Sequence, residues 1–369
     1  MFYYLSFLSK DYPALSFFRL FNSISFRSIG AMITALLFSL IFGNMIIKWL
    51  YRRGFRDVVR DYGDIGISDK KGTPVMGGII LILSLLVSIL LWSDLTSVFS
   101  LVPLGAIIWY GLIGAKDDID KIRHKNSDRG MSQMTKIILQ ALFAAGLAWI
   151  LTSSSYTPFP EGMVSQITVP FLKGNFSVDL GGFYIVFVII TMLSISNAVN
   201  FADGLDGLVT VPSIVTGGVY GIFAYLIGNA VYSRYLLLNF VPGTGELTII
   251  MAALFGAGLG FLWYNCYPAT VFMGDTGSMA IGGLLGVTVL LVKQELLFII
   301  AGGIFVAEAF SVLIQEKIGI KWLGRRIFFR APIHHTFQFR GMSEPKIVQR
   351  FWIVSIILAL VSIASIKIR

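Results

Sequence analysis

The sequence predicts an all-α polytopic membrane protein: ten transmembrane helices with both termini on the outer side, a small outer β-hairpin and an interfacial helix on the inner side. Three observations carry this. Of the 369 residues, 56% are hydrophobic and 13% charged, with mean hydropathy +0.80, whereas a soluble domain carries about 25% charge. Ten apolar stretches approach the roughly 20 residues that a helix needs to cross a bilayer. The basic residues gather in alternate loops, as the positive-inside rule requires of a multi-pass chain.

Taken in order, the ten stretches are 28–50, 75–95, 98–115, 134–152, 183–199, 208–228, 247–264, 278–293, 295–316 and 350–367. The loop after the first carries Arg52, Arg53, Arg56, Arg60, Lys70 and Lys71, and the loop after the third Lys116, Lys121, Arg123, Lys125 and Arg129. The loop after the ninth carries Lys321, Arg325, Arg326, Arg330, Arg340 and Lys346. These three loops are therefore assigned to the cytoplasm. The outer loop 153–182 reads as a hairpin, with strands at 166–170 and 175–179 turning at Lys173-Gly174. Residues 318–329 mix basic and apolar side chains in the manner of an interfacial helix.

No Pro/Ser-rich linker or repeat divides the chain, so 1–369 is read as a single integral membrane domain. The first 27 residues lack the basic and apolar regions of a cleaved signal and are expected to be retained. One cysteine, Cys266, rules out an intrachain disulfide. The net charge of +9 suits both anionic lipid and an anionic substrate.

The polar clusters fall in the loops assigned to the cytoplasm. Asp117 and Asp118 follow the third apolar run directly. Adjacent carboxylates repel unless a cation or a shared proton relieves them, and carboxylates near hydrocarbon are usually functional. Lys70-Lys71-Gly72-Thr73-Pro74 precedes a helix start, a plausible phosphate site. Asn197-Ala-Val-Asn200-Phe-Ala-Asp203-Gly204-Leu205-Asp206-Gly207 holds more Asn and Asp than capping a helix needs. Asn265 and Phe272 precede Gly274-Asp275-Thr276-Gly277-Ser278. There Asp275 suits a helix cap and equally a metal near phosphates, since Mg²⁺ typically takes one or two protein carboxylates. Phe272 offers either a buried ring or a stacking face for a base. His334 and His335 lack the spacing of a helical zinc pair and suit phosphate contacts or acid–base work better.

Together these loops resemble the phospho-N-acetylmuramoyl-pentapeptide transferase (translocase I) family, a branch of the polyprenyl-phosphate hexose-1-phosphate transferases. The matching motifs are Lys70-x-Gly-Thr-Pro-x-Met-Gly-Gly78, Asp117-Asp118, 197–207, 265–278, 331–335 and Glu344-Pro345. The resemblance runs in order along essentially the whole chain. It implies ten helices in the bacterial inner membrane, periplasmic termini and a cytoplasmic active site. It implies Mg²⁺-dependent transfer of phospho-MurNAc-pentapeptide from UDP-MurNAc-pentapeptide to undecaprenyl phosphate, giving lipid I and UMP in peptidoglycan synthesis. Carried over by position, it makes Asp275 the metal ligand and Asp117, Asp118, His334 and His335 catalytic. Lys70, Asn200, Asp203, Asp206, Asn265 and Phe272 fall where the family contacts nucleotide or phosphates. The expected partners are the two substrates and the bilayer, with no nucleic acid; a homodimer is the assembly allowed for. The chain departs from the family pattern at Val75 and Ala202, where Thr is usual, and at Thr336, where a third His is common. Lys116 is an unusual neighbour for the Asp pair.

Two rival readings are open to test. A transporter would set its ionisable groups near the bilayer midplane, where this chain has only Glu308 and Gln315. A sister transferase moving N-acetylglucosamine-1-phosphate shares the Asp motifs and differs in the histidine loop.

Overall fold

The computed structural model describes residues 1–11, 13–56, 72–125, 129–172 and 176–368. Lys70 and the expected hairpin turn at Lys173-Gly174 lie outside them. The chain begins with α1 (Phe2–Asp11), a 3-10 helix (Pro13–Asn22) and α2 (Ile24–Arg52). α3 (Gly78–Trp92), α4 (Val98–His124) and α5 (Gln133–Thr152) follow. Next come β1 (Gln166–Thr168), β2 (Ser177–Asp179), α6 (Tyr184–Phe201), α7 (Thr210–Ile227) and the short α8 (Ala230–Tyr235). After α9 (Gly245–Asn265) and α10 (Gly274–Leu291) the chain passes through α11 (Phe298–Ala301) and α12 (Gly303–Leu313). A π-helical stretch (Ile314–Trp322), α13 (Ile333–Phe339) and α14 (Glu344–Ala364) complete it.

Among the described residues, eight helices are long and apolar enough to cross a membrane, and the protein is a multi-pass membrane protein. The other two expected spans differ from a simple crossing. α3 has 15 residues, and the stretch 295–316 is divided at Gly302 between α11 and α12. The expected interfacial helix is helical only as far as Trp322. There Ile318, Ile320 and Trp322 are exposed beside Lys317 and Lys321.

α10 is the central helix: sixteen of its residues, Thr276 to Leu291, are buried. Its glycines, Gly277, Gly282, Gly283 and Gly286, lie among apolar side chains, and α4, α6 and α3 pack against it. Eighteen residues at 1.5 Å each make it about 27 Å long. Its N-terminus meets the Asp pair of α4, and its C-terminus runs into Lys293 beneath the hairpin. β1 and β2 pair antiparallel, with Ile167 opposite Val178. The Lys293 ammonium donates to the carbonyls of Val164 and Gln166 and to the Tyr184 hydroxyl at 2.5, 3.3 and 2.9 Å. A buried ammonium must spend its donors on acceptors, and here it pins the hairpin to the bundle.

Candidate active site

Asp117 and Asp118 on α4 are buried, Asp275 on α10 is partly exposed, and oxygens of all three lie within 4.8 Å of one another. Gly114 permits this approach. A Cβ there would stand 2.1 Å from the Asp275 carbonyl oxygen, so only a glycine lets α4 cross the first turn of α10 so closely.

The three carboxylates have different partners. Asp118 accepts from the backbone N–H of Asp275 at 3.1 Å and from the N–H and hydroxyl of Thr276 at 2.9 and 2.7 Å. The first turn of a helix has no internal acceptor for its N–H groups, and a carboxylate suits its positive end. Asp118 is therefore the cap of α10. The sequence pattern suggested Asp275 for that role, but Asp275 lies inside the first turn, and the preceding Met273 makes no side-chain cap. Asp117 accepts from the N–H of Met131 at 2.9 Å and lies 2.6 Å from Lys121, one helical turn on. Asp275 contacts Lys121 at 3.2 Å and Lys136 of α5 at 2.5 Å. Lys116 takes no part and pairs with Asp120 on the exposed side.

With all three carboxyl groups ionised, the two ammonium groups leave an excess of one negative charge, and burial pushes the Asp118 carboxyl up to about 7. All the carboxylate donors are hard oxygens, and one carboxylate is partly open. The set fits a divalent cation such as Mg²⁺, which binds through one or two carboxylates and fills its shell with water and phosphate oxygens.

The other loops close around this centre. Phe272 N–H donates to Pro74 O, and Gly77 and Gly78 N–H donate to Phe272 O and Met273 O. The Gly-Thr-Pro segment is thus zipped to the start of α10. Asn200 donates to the Ser278 hydroxyl at 2.9 Å. Asp203 is partly exposed. Burial, and then the charges of Asp275 and Asp118, hold its carboxyl well above the ordinary range. Asp206 accepts from Ala269 N–H, while its own N–H donates to Glu344. The Asn265 amide bonds Gly207 N–H, the Thr210 hydroxyl and Val271 O. Asp206 and Asn265 thereby tie the 202–207 loop to the 265–271 loop.

The glycosyl transferase family 4 model matches residues 100–293. A phospho-N-acetylmuramoyl-pentapeptide-transferase of Geobacter sp. (strain M21) is 46% identical over 370 residues, spanning the whole of both chains. Proteins of the same name from Desulfotalea psychrophila and Desulfovibrio desulfuricans are 46% and 45% identical, again over the full length of both. The chain belongs to the phospho-N-acetylmuramoyl-pentapeptide-transferase family.

Within this family fold, the histidine doublet is split. His334 is fully buried against Glu308, whereas His335 is partly exposed and its Nδ1 lies 2.8 Å from Gln338 Oε1. Thr336, at the place of the common third histidine, bonds both the N–H and the carbonyl of Arg330. It closes a turn and faces its own loop. Gln315 accepts from the N–H groups of Ile327 and Phe328 and donates to Phe328 O, holding the returning loop against the helix. Sequence reasoning overlooked Lys121, Lys136 and the partner of His334. Lys121 was legible as the i+4 neighbour of Asp117. Lys136 lies inside the expected span 134–152 and was not singled out, and the Glu308–His334 contact had no local signal.

Proposed function

We propose that the protein transfers phospho-MurNAc-pentapeptide from UDP-MurNAc-pentapeptide to undecaprenyl phosphate, releasing UMP and forming lipid I. The observation that carries this is the Asp117–Asp118–Asp275 cluster flanked by Lys121 and Lys136, in a chain with full-length relatives of that name. On this reading the chain is a single ten-helix domain in the bacterial inner membrane, with the cluster on its cytoplasmic face. One phosphoanhydride is broken and one is made, so the reaction needs positioning and charge neutralisation more than an energy source.

Asp275, with the neighbouring carboxylates, would hold Mg²⁺, which when bound offsets charge on the diphosphate. Lys121 and Lys136 attract the phosphates of both substrates. Asp117 acts as base toward the lipid phosphate or as nucleophile toward the donor, while Asp118 holds the first turn of α10 in place. Lys70, Asn200, Asp203, Asp206, Asn265 and Phe272 frame the nucleotide side, Asp206 and Asn265 by fixing its loops. His335 is the histidine assigned to substrate.

The test is a competition assay on purified protein with undecaprenyl phosphate, Mg²⁺ and both UDP-MurNAc-pentapeptide and UDP-N-acetylglucosamine. The expected product is lipid I with equimolar UMP. Preferential formation of the N-acetylglucosamine lipid would move the protein to the sister branch, and absence of UMP would return it to the transporter reading. UMP released in proportion to enzyme without lipid acceptor would support a covalent intermediate, for which Asp117 is the proposed nucleophile.

A further inference from the structure

A buried acid–histidine pair lies against the loop that carries Asp203. Glu308 of α12 is 0% exposed, and its Oε2 lies 3.2 Å from Nδ1 of the equally buried His334. Among the described residues, no hydrogen bond reaches the Glu308 oxygens or either ring nitrogen, so the close approach of these two side chains is the polar contact each has in the interior. At 3.2 Å the carboxylate limits where the buried ring can sit.

The opposite edge of the ring meets backbone. A Cβ on Gly204 would stand 2.2 Å from His334 Nε2 and 2.7 Å from Cε1. The loop that carries Asp203 therefore abuts the Nε2 edge of the imidazole, where a side chain at residue 204 would collide with the buried ring. The same loop is held from its other side by a small core in which Leu205 and Leu208 pack with Ile347 and Val348. Trp352 donates to Gly207 O at 3.2 Å.

We propose that Glu308 and His334 form a positioning pair that sets the height of the 202–207 loop, and hence of Asp203, over the carboxylate cluster. In this arrangement His334 acts through Gly204, and the second histidine of the doublet is the one a ligand can reach. The link to nucleotide rests on the function proposed above; the link to the loop does not.

The experiment uses the full-length protein in lipid nanodiscs, with Glu308→Gln, His334→Gln, the double variant and Gly204→Ala. Hydrogen–deuterium exchange of the 202–207 amides reads the loop, and titration with UDP in MgCl₂ reads the nucleotide side. Each single variant is expected to speed loop exchange and weaken UDP binding by about tenfold, with the double no worse than either single, as coupled neighbours behave. The KM for undecaprenyl phosphate is expected to stay within about twofold, because loss of one loop position is not general destabilisation. Unchanged loop exchange in the Gln variants overturns the proposal, as does an additive double variant. Faster exchange with unchanged UDP affinity supports the positioning pair and removes Asp203 from the nucleotide pocket. Should the Gln variants fail to fold, Gly204→Ala keeps the pair intact while lifting the loop from the ring, and wild-type exchange there is equally fatal.

Discussion

Asp118 and Asp275 stand side by side, yet their surroundings predict different losses when each is changed. Asp118 accepts three hydrogen bonds at the start of α10. Asp118→Ala leaves those donors without their acceptor and is expected to cost about 1–3 kcal/mol of stability, read as a lower thermal midpoint. Asp275 is partly exposed, and its carboxylate pairs with Lys121 and Lys136. Asp275→Asn is expected to fold normally, to lose at least about two decades of turnover and to show no response to added Mg²⁺. Normal turnover with unchanged Mg²⁺ dependence would end the metal assignment. Asp203 carries a pH signature. Its carboxyl is held above the ordinary range by burial and neighbouring carboxylates, so the folded state favours the protonated form. The stability this contributes is complete below the unfolded value and is lost as pH rises through the folded one. Asp203→Asn, which cannot ionise, should therefore gain thermal stability relative to wild type as pH rises from acid to alkaline. A constant difference between the two proteins across that range would contradict the shift.

At the scale of elements, the spacing between α4 and α10 decides whether a cluster exists. Gly114 has no room for a methyl group against the backbone of Asp275, and neither helix backbone can yield without moving a carboxylate. Gly114→Ala is expected to keep the helical content, measured by circular dichroism, while lowering turnover by more than tenfold; about an ångström of misplacement is enough for such losses. At the other end of α10, Lys293→Met removes the donors that hold Val164 and Gln166. Proteolysis within 153–182 should quicken while turnover stays near wild type, because the hairpin lies about 27 Å, the length of α10, from the carboxylates.

For the whole molecule, orientation can be read from one atom. Cys266 is the only cysteine, is exposed, and follows α9 in the loop that leads to the carboxylate cluster. In the proposed topology that loop faces the cytoplasm. A membrane-impermeant maleimide should label Cys266 in inside-out vesicles and leave it unlabelled in intact spheroplasts. Labelling only in spheroplasts would invert the topology and place the site on the wrong side for a nucleotide substrate.

Apolar patterning was enough to make the class of the protein legible, because bilayer solvation acts on each segment locally: a long apolar run has to become a helix there. The segments 166–170 and 175–179 suggested a hairpin, and the structure pairs Gln166–Thr168 with Ser177–Asp179 within them. The Asp117-Asp118 pair and the 265–278 loop stood out as polar residues where hydrocarbon ends. What one dimension did not contain was partnership. That Asp118 would cap a helix beginning more than 150 residues later, that Lys136 would meet Asp275, and that Glu308 would lie against His334 all depend on which helices touch. So does the break of the ninth apolar stretch at Gly302, where length and hydropathy alone suggested a continuous span. Hydropathy assigns each segment to lipid or water, while the close approach of helix backbones, as at Gly114, decides which buried charges find one another.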